Sequence, residues 1–172
     1  MGFSENMQTI FDSKPLEKKI LDSGDRTSYE TGAVRDTKAN QGRCDLMPLD
    51  IMANVMNDAI VTQLALFQIT QNTKVLYDII NRFTEQNYPS KADMFLELSI
   101  HFKQGAEKYG EENWRKGIPV HSYFDSAIRH YMKFIRGDND EPHDRAFIWN
   151  LVCMAWTIEN KPEMNDLYSF TN

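Results

Sequence analysis

Residues Ala146 to Ile158 read AFIWNLVCMAWTI, a run that is apolar on every side of a helix except at Asn150 and Thr157. A helix without a polar face is either central in a bundle or packed against another subunit. The turn GDNDEP precedes it, and Pro142 suits its first helical position. The other elements, or a second subunit, must therefore wall this helix in. With 172 residues the chain is long enough to do so as one domain without disulfides.

Four further helices are legible upstream. From Pro48, Ile51, Val55, Met56, Ala59, Ile60 and Leu64 recur at helical spacing. A second segment over 73–86 places Val75, Tyr77, Ile79, Ile80 and Phe83 near one stripe, and Asn87 to Ser90, with Pro89, ends it. Ser90 and Asp93 form a capping-box pattern opening a third helix to about Tyr109, with Phe95, Leu98, Phe102, Ala106 and Tyr109 as its apolar stripe. A helix over 121–136 turns Phe124, Ile128, Tyr131 and Ile135 inward. Residues 1–46 show no sustained period, so they read as an extended arm, with a short helix over Lys14 to Leu21 as an option. No strand pattern competes. The reading is all-α, a helical bundle: arm 1–46, a helical domain 47–162 (47–88 extra helices, 90–160 motif-bearing helices) and a tail 163–172.

Composition narrows the partners. A net charge of -6 argues against general binding to a nucleic acid polymer or an anionic membrane, which favour basic surfaces. A phosphate ligand remains open, given a local cationic pocket or a divalent metal. Two cysteines are too few for a disulfide scaffold, and Cys153 reads as a small core residue. There is no ~18-residue apolar run, and Met1 to Lys19 lacks a signal-peptide core, so the expectation is a cytoplasmic protein.

Four clusters could carry chemistry, each with a plainer alternative. Glu97, His101, Gln104 and Lys108 line one stripe of the third helix, which could simply be solvated. The loop from Lys108 to Gly117 joins Tyr109, Asn113 and Trp114 with Arg115 and Lys116, a mixture suited to base stacking and phosphate contact; Trp114 could equally be a hydrophobic latch. Asp125 and Arg129 share a face beside His130, and an ordinary surface ion pair would look the same. Asp138, Asp140, Glu141, His143 and Asp144 are the donors a hard divalent cation wants, although acids at a helix N-terminus also suit its dipole. Asn150, on the same face as His143, is an amide in apolar surroundings and needs a specific partner. Together the stripes of three helices point at one pocket, and facing carboxylates in a bundle can build a metal site for phosphoanhydride hydrolysis.

The strings GAVRDTKANQGRCDLMPLD and LELSIHFKQGAEKYGEENWRKGIPVHSYFDSAIRHYMKFIRGDNDEPHDRAFIWNLVCMAWTIENKP resemble the phage and bacterial dATP/dGTP diphosphohydrolase family, related to the MazG-like all-α nucleotide pyrophosphohydrolases. The resemblance covers Gly32 to Asp50 and Glu97 to Pro162, with KYGxxNWxKGxP, DSAxRH and GDxDExHDRAxxWN as its most specific strings. It implies a MazG-like homo-oligomer (dimer or tetramer) in a bacterial or phage-infected cell, using Mg2+ or Mn2+ to cleave a purine deoxynucleoside triphosphate to monophosphate and pyrophosphate. It places Glu97, Asp125, Asp140, Glu141, His143 and Asp144 near metal, with Glu97, Asp125 and Asp140 catalytic. Lys108, Arg115, Lys116 and Arg129 fall to the phosphates. Tyr109, Asn113, Trp114 and Asn150 fall to sugar or base. His101 and His130 join this nucleotide-binding set, and Arg35 and Arg43 sit on an arm folding over the pocket.

One position departs from the family pattern. Relatives often read His-Phe-Glu-Glu-Gly where this chain reads His101-Phe102-Lys103-Gln104-Gly105. A neutral amide on the stripe of Glu97 weakens divalent-metal affinity. A second expectation therefore stands beside hydrolysis: a non-catalytic nucleotide sponge that sequesters a cyclic or ADP-ribose-derived signal, as in phage anti-defence.

Overall fold

A computed structural model describes residues 18–168. The short helix considered over Lys14 to Leu21, the reading of Met1 to Lys19 and the end of the tail lie largely outside this range, and residues 18–21 carry no helix. Six helices form the body: α1 (Leu49–Met56), α2 (Ala59–Thr70), α3 (Thr73–Asn87), α4 (Lys91–Tyr109), α5 (Val120–Arg136) and α6 (His143–Asn160). The fold is largely all-α, with one small antiparallel hairpin, β1 (Arg26–Ser28) and β2 (Val34–Asp36), paired Thr27 to Arg35.

α6 is the central helix. Phe147, Ile148, Leu151, Cys153 and Met154 are fully buried, packed between α5, α4 and α3. Phe83 of α3 meets Tyr131 and Phe134 of α5 and Phe147 of α6 edge-on, with ring centroids 5.0–6.2 Å apart, a geometry that adds to the area each ring buries. Thr157 donates to the carbonyl of Cys153, so its hydroxyl is satisfied inside the helix. The helices over 47–88 share this core through Leu64, Phe67, Leu76, Ile79 and Phe83.

The run read from Pro48 to Leu64 is two helices. Asn57 adopts a left-handed conformation, and the Asp58 carboxylate then caps α2 by accepting from the N–H groups of Ile60 and Val61. Tyr131 donates its hydroxyl to the same carboxylate, fixing α2 against α5. The Ser90 hydroxyl accepts from the N–H of Asp93 to open α4. Gly137, at φ 85°, closes α5, with its N–H and that of Asp138 returning to the last turn. Not every expected inward residue is buried: Phe95 of α4 and Ile135 of α5 are exposed.

The arm lies on the body. The Asn113 side chain accepts from Val34 N–H at 2.9 Å and donates to Val34 C=O at 2.8 Å, prolonging the hairpin by one peptide-like unit. Thr31 donates to the carbonyl of Gly117, where a φ of +113° would strain any side chain and a Cβ would crowd the Thr31 methyl at 3.2 Å. None of the described helices is long and apolar enough to cross a membrane.

Candidate nucleotide site

A cleft of about 730 Å³ opens between the arm and the facing sides of α4, α5 and α6, the size of a small-ligand site. Its polar lining includes Arg35, Lys38 and Arg129, and its rings include Phe102, Tyr109 and Trp149. Arg35 leaves β2 and crosses over the rings of Tyr123 and Trp149, 5.0 and 5.9 Å from their centroids. One of its nitrogens donates to Asn150 Oδ1 at 3.0 Å and to Ser126 Oγ at 3.2 Å. Asn150 in turn donates to the carbonyl of Ala146. The amide demanded by its buried position thus positions a guanidinium.

Asp125 organises the floor. Its Oδ2 accepts from Lys38 Nζ at 2.6 Å, and its Oδ1 accepts from Arg129 and from the N–H of Cys44, both at 2.7 Å. Burial pushes the Asp125 carboxyl up, but Lys38, Arg129 and the Cys44 amide outweigh it and hold the group below the usual carboxylate range. Lys38 also donates to Ser126 Oγ and the carbonyl of Ser122. Burial, then repulsion from Arg35, brings the Lys38 ammonium down to about 8 despite Asp125.

Two cations, Lys38 and Arg129, therefore converge on one carboxylate, and the nearby Arg35 has no carboxylate partner among the described residues. Arg35 Nη1, Arg129 Nε and Trp149 Nε1 are buried without a hydrogen-bond partner, as is His101 Nδ1. Leaving such a donor unmet costs ~1–3 kcal/mol, more when it is charged. The N–H groups of Arg35, Arg129 and Trp149 fit a ligand rich in acceptor oxygens. His101 is neutral: burial, then Arg145 and Arg35, push its imidazole down to about 3.

At the mouth of the α5–α6 turn, His130 Nδ1 and His143 Nδ1 lie 3.0 Å apart, each 3.6 Å from Glu141 Oε1. His143 Nε2 donates to Asp140 Oδ1 at 2.7 Å, and this bond, more than the nearby Lys133, holds Asp140 down to about 2. Burial and then His143 keep His130 far below its ordinary value, hence a neutral base. His130, Glu141 and His143 form one potential ligand group, and Asp138, Asp140 and His143 a second. Mutually close imidazole and carboxylate donors fit a divalent cation.

Residues 69–167, more than half of the chain, match the family model described as dATP/dGTP diphosphohydrolase, N-terminal. The chain belongs to this family. No curated protein and no solved structure matches it. The diphosphohydrolase segment runs from the end of α2 past α6, so it supplies Arg129, His130, Glu141, His143, Trp149 and Asn150. Arg35 and Lys38 lie ahead of it, on the arm.

The structure brings the other expected residues to several places. Glu97, half exposed, pairs with Arg145 at 3.1 Å, and Arg145 also donates to Gln104 Oε1. Asp144 accepts from the Tyr88 hydroxyl at 2.9 Å. Lys108 joins Asp36 and the carbonyl of Leu21, tying α4 to the arm, and Tyr109 lies under Lys108 and Arg26. Trp114 packs edge-on against Phe102 and Trp156 and also borders the cleft. Arg115 covers Trp114 and Trp156 from outside, Lys116 is exposed, and Arg43 pairs with Asp45. Lys38 and Trp149 escaped the sequence reading. Lys38 stands in an aperiodic arm, and its signal lies in a partner 87 positions away. Trp149 did leave a trace, an indole N–H beside Asn150 in an otherwise apolar helix.

Proposed function

We propose that the cleft binds a purine deoxynucleoside triphosphate, dATP or dGTP, and that the protein hydrolyses it to the monophosphate and pyrophosphate with a divalent cation. The observation that carries this reading is the set of buried, unpartnered N–H groups of Arg35, Arg129 and Trp149 beside aromatic rings. The family name supports the substrate class. Arg35, Lys38 and Arg129 bind phosphate oxygens, while Asn150 and Ser126 keep Arg35 aimed and Asp125 keeps the other two together. Trp149 offers a ring on which a purine stacks. Glu141 and His143 hold the cation, with Asp140 steadying His143; when bound, the ion shields phosphate charge and makes water a better nucleophile. In the net reaction water bonds to the α-phosphorus, the bond to the bridging oxygen breaks, pyrophosphate leaves with that electron pair, and a proton goes to solvent.

The family resemblance and the exposed apolar side chains Leu46, Ile51 and Val55 support self-association in a cytoplasmic protein. A second reading, capture of a cyclic or ADP-ribose-derived nucleotide without cleavage, draws on the stripe of α4, where Glu97 is paired with Arg145 and the neighbouring acceptor is the Gln104 amide. Chromatography separates the two readings: hydrolysis yields monophosphate and pyrophosphate from protein incubated with Mn2+ or Mg2+, whereas capture returns the nucleotide intact after denaturation.

A further inference from the structure

We infer that His130, Glu141 and His143 form a site for a divalent transition ion bound through imidazole nitrogen, with Asp140 as the outer residue that orients His143. The spacing carries the assignment. Ligand atoms ~2.1 Å from an ion lie about 3.0 Å apart when they subtend a right angle and about 3.6 Å apart at 120°. The two imidazole nitrogens are 3.0 Å apart, and each is 3.6 Å from the same carboxylate oxygen. A separation of 3.6 Å is too long for a hydrogen bond but suits two ligands on one ion.

The hydrogen positions agree. A carboxylate only accepts, so His143 Nε2, 2.7 Å from Asp140, carries the hydrogen. That leaves the lone pair of His143 on Nδ1, which accepts from His130 Nδ1–H at 3.0 Å in this structure, so that ion binding exchanges this one proton for the metal. A carboxylate fixing the far nitrogen of a metal-binding imidazole is a recurrent outer shell. The three ligands come from two anchored places: His130 from the last turns of α5, and Glu141 with His143 from the turn that starts α6. His143 is buried, while His130 and Glu141 border the cleft, so an ion here reaches the ligand space from below.

Two nitrogens and one oxygen select against Mg2+, which prefers oxygen in octahedral array, and in favour of ions such as Zn2+ or Co2+. The inference rests on the proposed function for the ion's task but not for its binding.

Titration of the full-length, metal-free protein with Co2+, read by visible d–d absorption, tests it. One equivalent binds, Zn2+ displaces it, and a thousandfold excess of Mg2+ does not. His130→Gln and His143→Ala each weaken Co2+ binding by at least 100-fold, and Asp140→Asn by 10–100-fold. Circular dichroism identifies any variant that fails to fold. Should that happen, proton NMR of the wild-type Co2+ protein decides, because two ligating imidazoles give two strongly shifted exchangeable N–H signals. Absence of a stoichiometric Co2+ site, displacement by Mg2+, binding untouched in folded His130→Gln, or missing imidazole signals overturns the assignment. Mg2+-supported turnover without a Co2+ site sinks this inference and spares the proposed function. A Co2+ site without turnover of any nucleotide does the reverse.

Discussion

Asp125 has both oxygens committed to the arm and to α5, which makes it one of the residues that hold the arm over the cleft. Asp125→Asn leaves Lys38 and Arg129 close together without their shared counter-charge. Removing one partner from a buried ion pair costs ~3–5 kcal/mol, so the variant should melt at a markedly lower temperature and its arm should be cut more readily by protease. An unchanged melting temperature contradicts this role. The pH sign follows from the carboxyl being held below its ordinary value of 3.8: its stabilising contribution is present above that value and is lost as pH falls through the lowered one. Lys38 acts in the opposite range. Its ammonium titrates at about 8, so triphosphate affinity should fall as pH rises through 8, and Lys38→Arg should flatten that decline. Isothermal titration at pH 6.5 to 9.5 checks both. Arg35→Ala removes a charged donor from a nearly dry wall, at ~2–4 kcal/mol. Affinity for triphosphate should drop ~30- to 1000-fold, with a smaller loss for Asn150→Ala, which only frees the guanidinium from its aim.

Among the elements, α6 was the most legible in sequence, because a helix apolar on all sides has few places to go. Ser90 and Gly137 likewise announced helix ends through local chemistry. The boundary between α1 and α2 was harder, since Ile51 to Leu64 keep helical spacing straight through Asn57. Only the left-handed turn there and the cap by Asp58 reveal two helices. Asp58→Ala loses that cap and leaves the Tyr131 hydroxyl without its acceptor, which should cost ~1–3 kcal/mol, measurable by urea denaturation; a cost near zero contradicts the link. The hairpin was invisible for a physical reason. Strands of three residues are too short to show alternation, and a side chain 79 positions away, Asn113, holds one edge. The site was legible in part. Glu141, His143 and Asn150 stood out by type and spacing, but whether a carboxylate faces a metal or a lysine is set by long-range packing. Asp125 meets Lys38 and Glu97 meets Arg145, and no local pattern contains either pairing.

Across the whole molecule, a chain of net charge -6 gathers Arg35, Lys38 and Arg129 along one cleft, with Lys38 and Arg129 held by Asp125. In a partly dry cavity such a cluster attracts an anionic group more strongly than the same charges would on a surface, while Asp22, Asp36, Glu111, Glu112 and Glu141 line other parts of the cleft. The family-matched helices form the floor and the arm forms the roof, so the cleft is complete only when both are in place. The central claim is that this cleft takes a purine deoxynucleoside triphosphate and cuts it. The direct measurement incubates the protein with dATP, dGTP and a panel of other nucleotides, with Mn2+ or Mg2+, and resolves the products by chromatography. The account predicts monophosphate and pyrophosphate from dATP or dGTP, abolished in Arg35→Ala. Recovery of every nucleotide intact, with either metal, contradicts it.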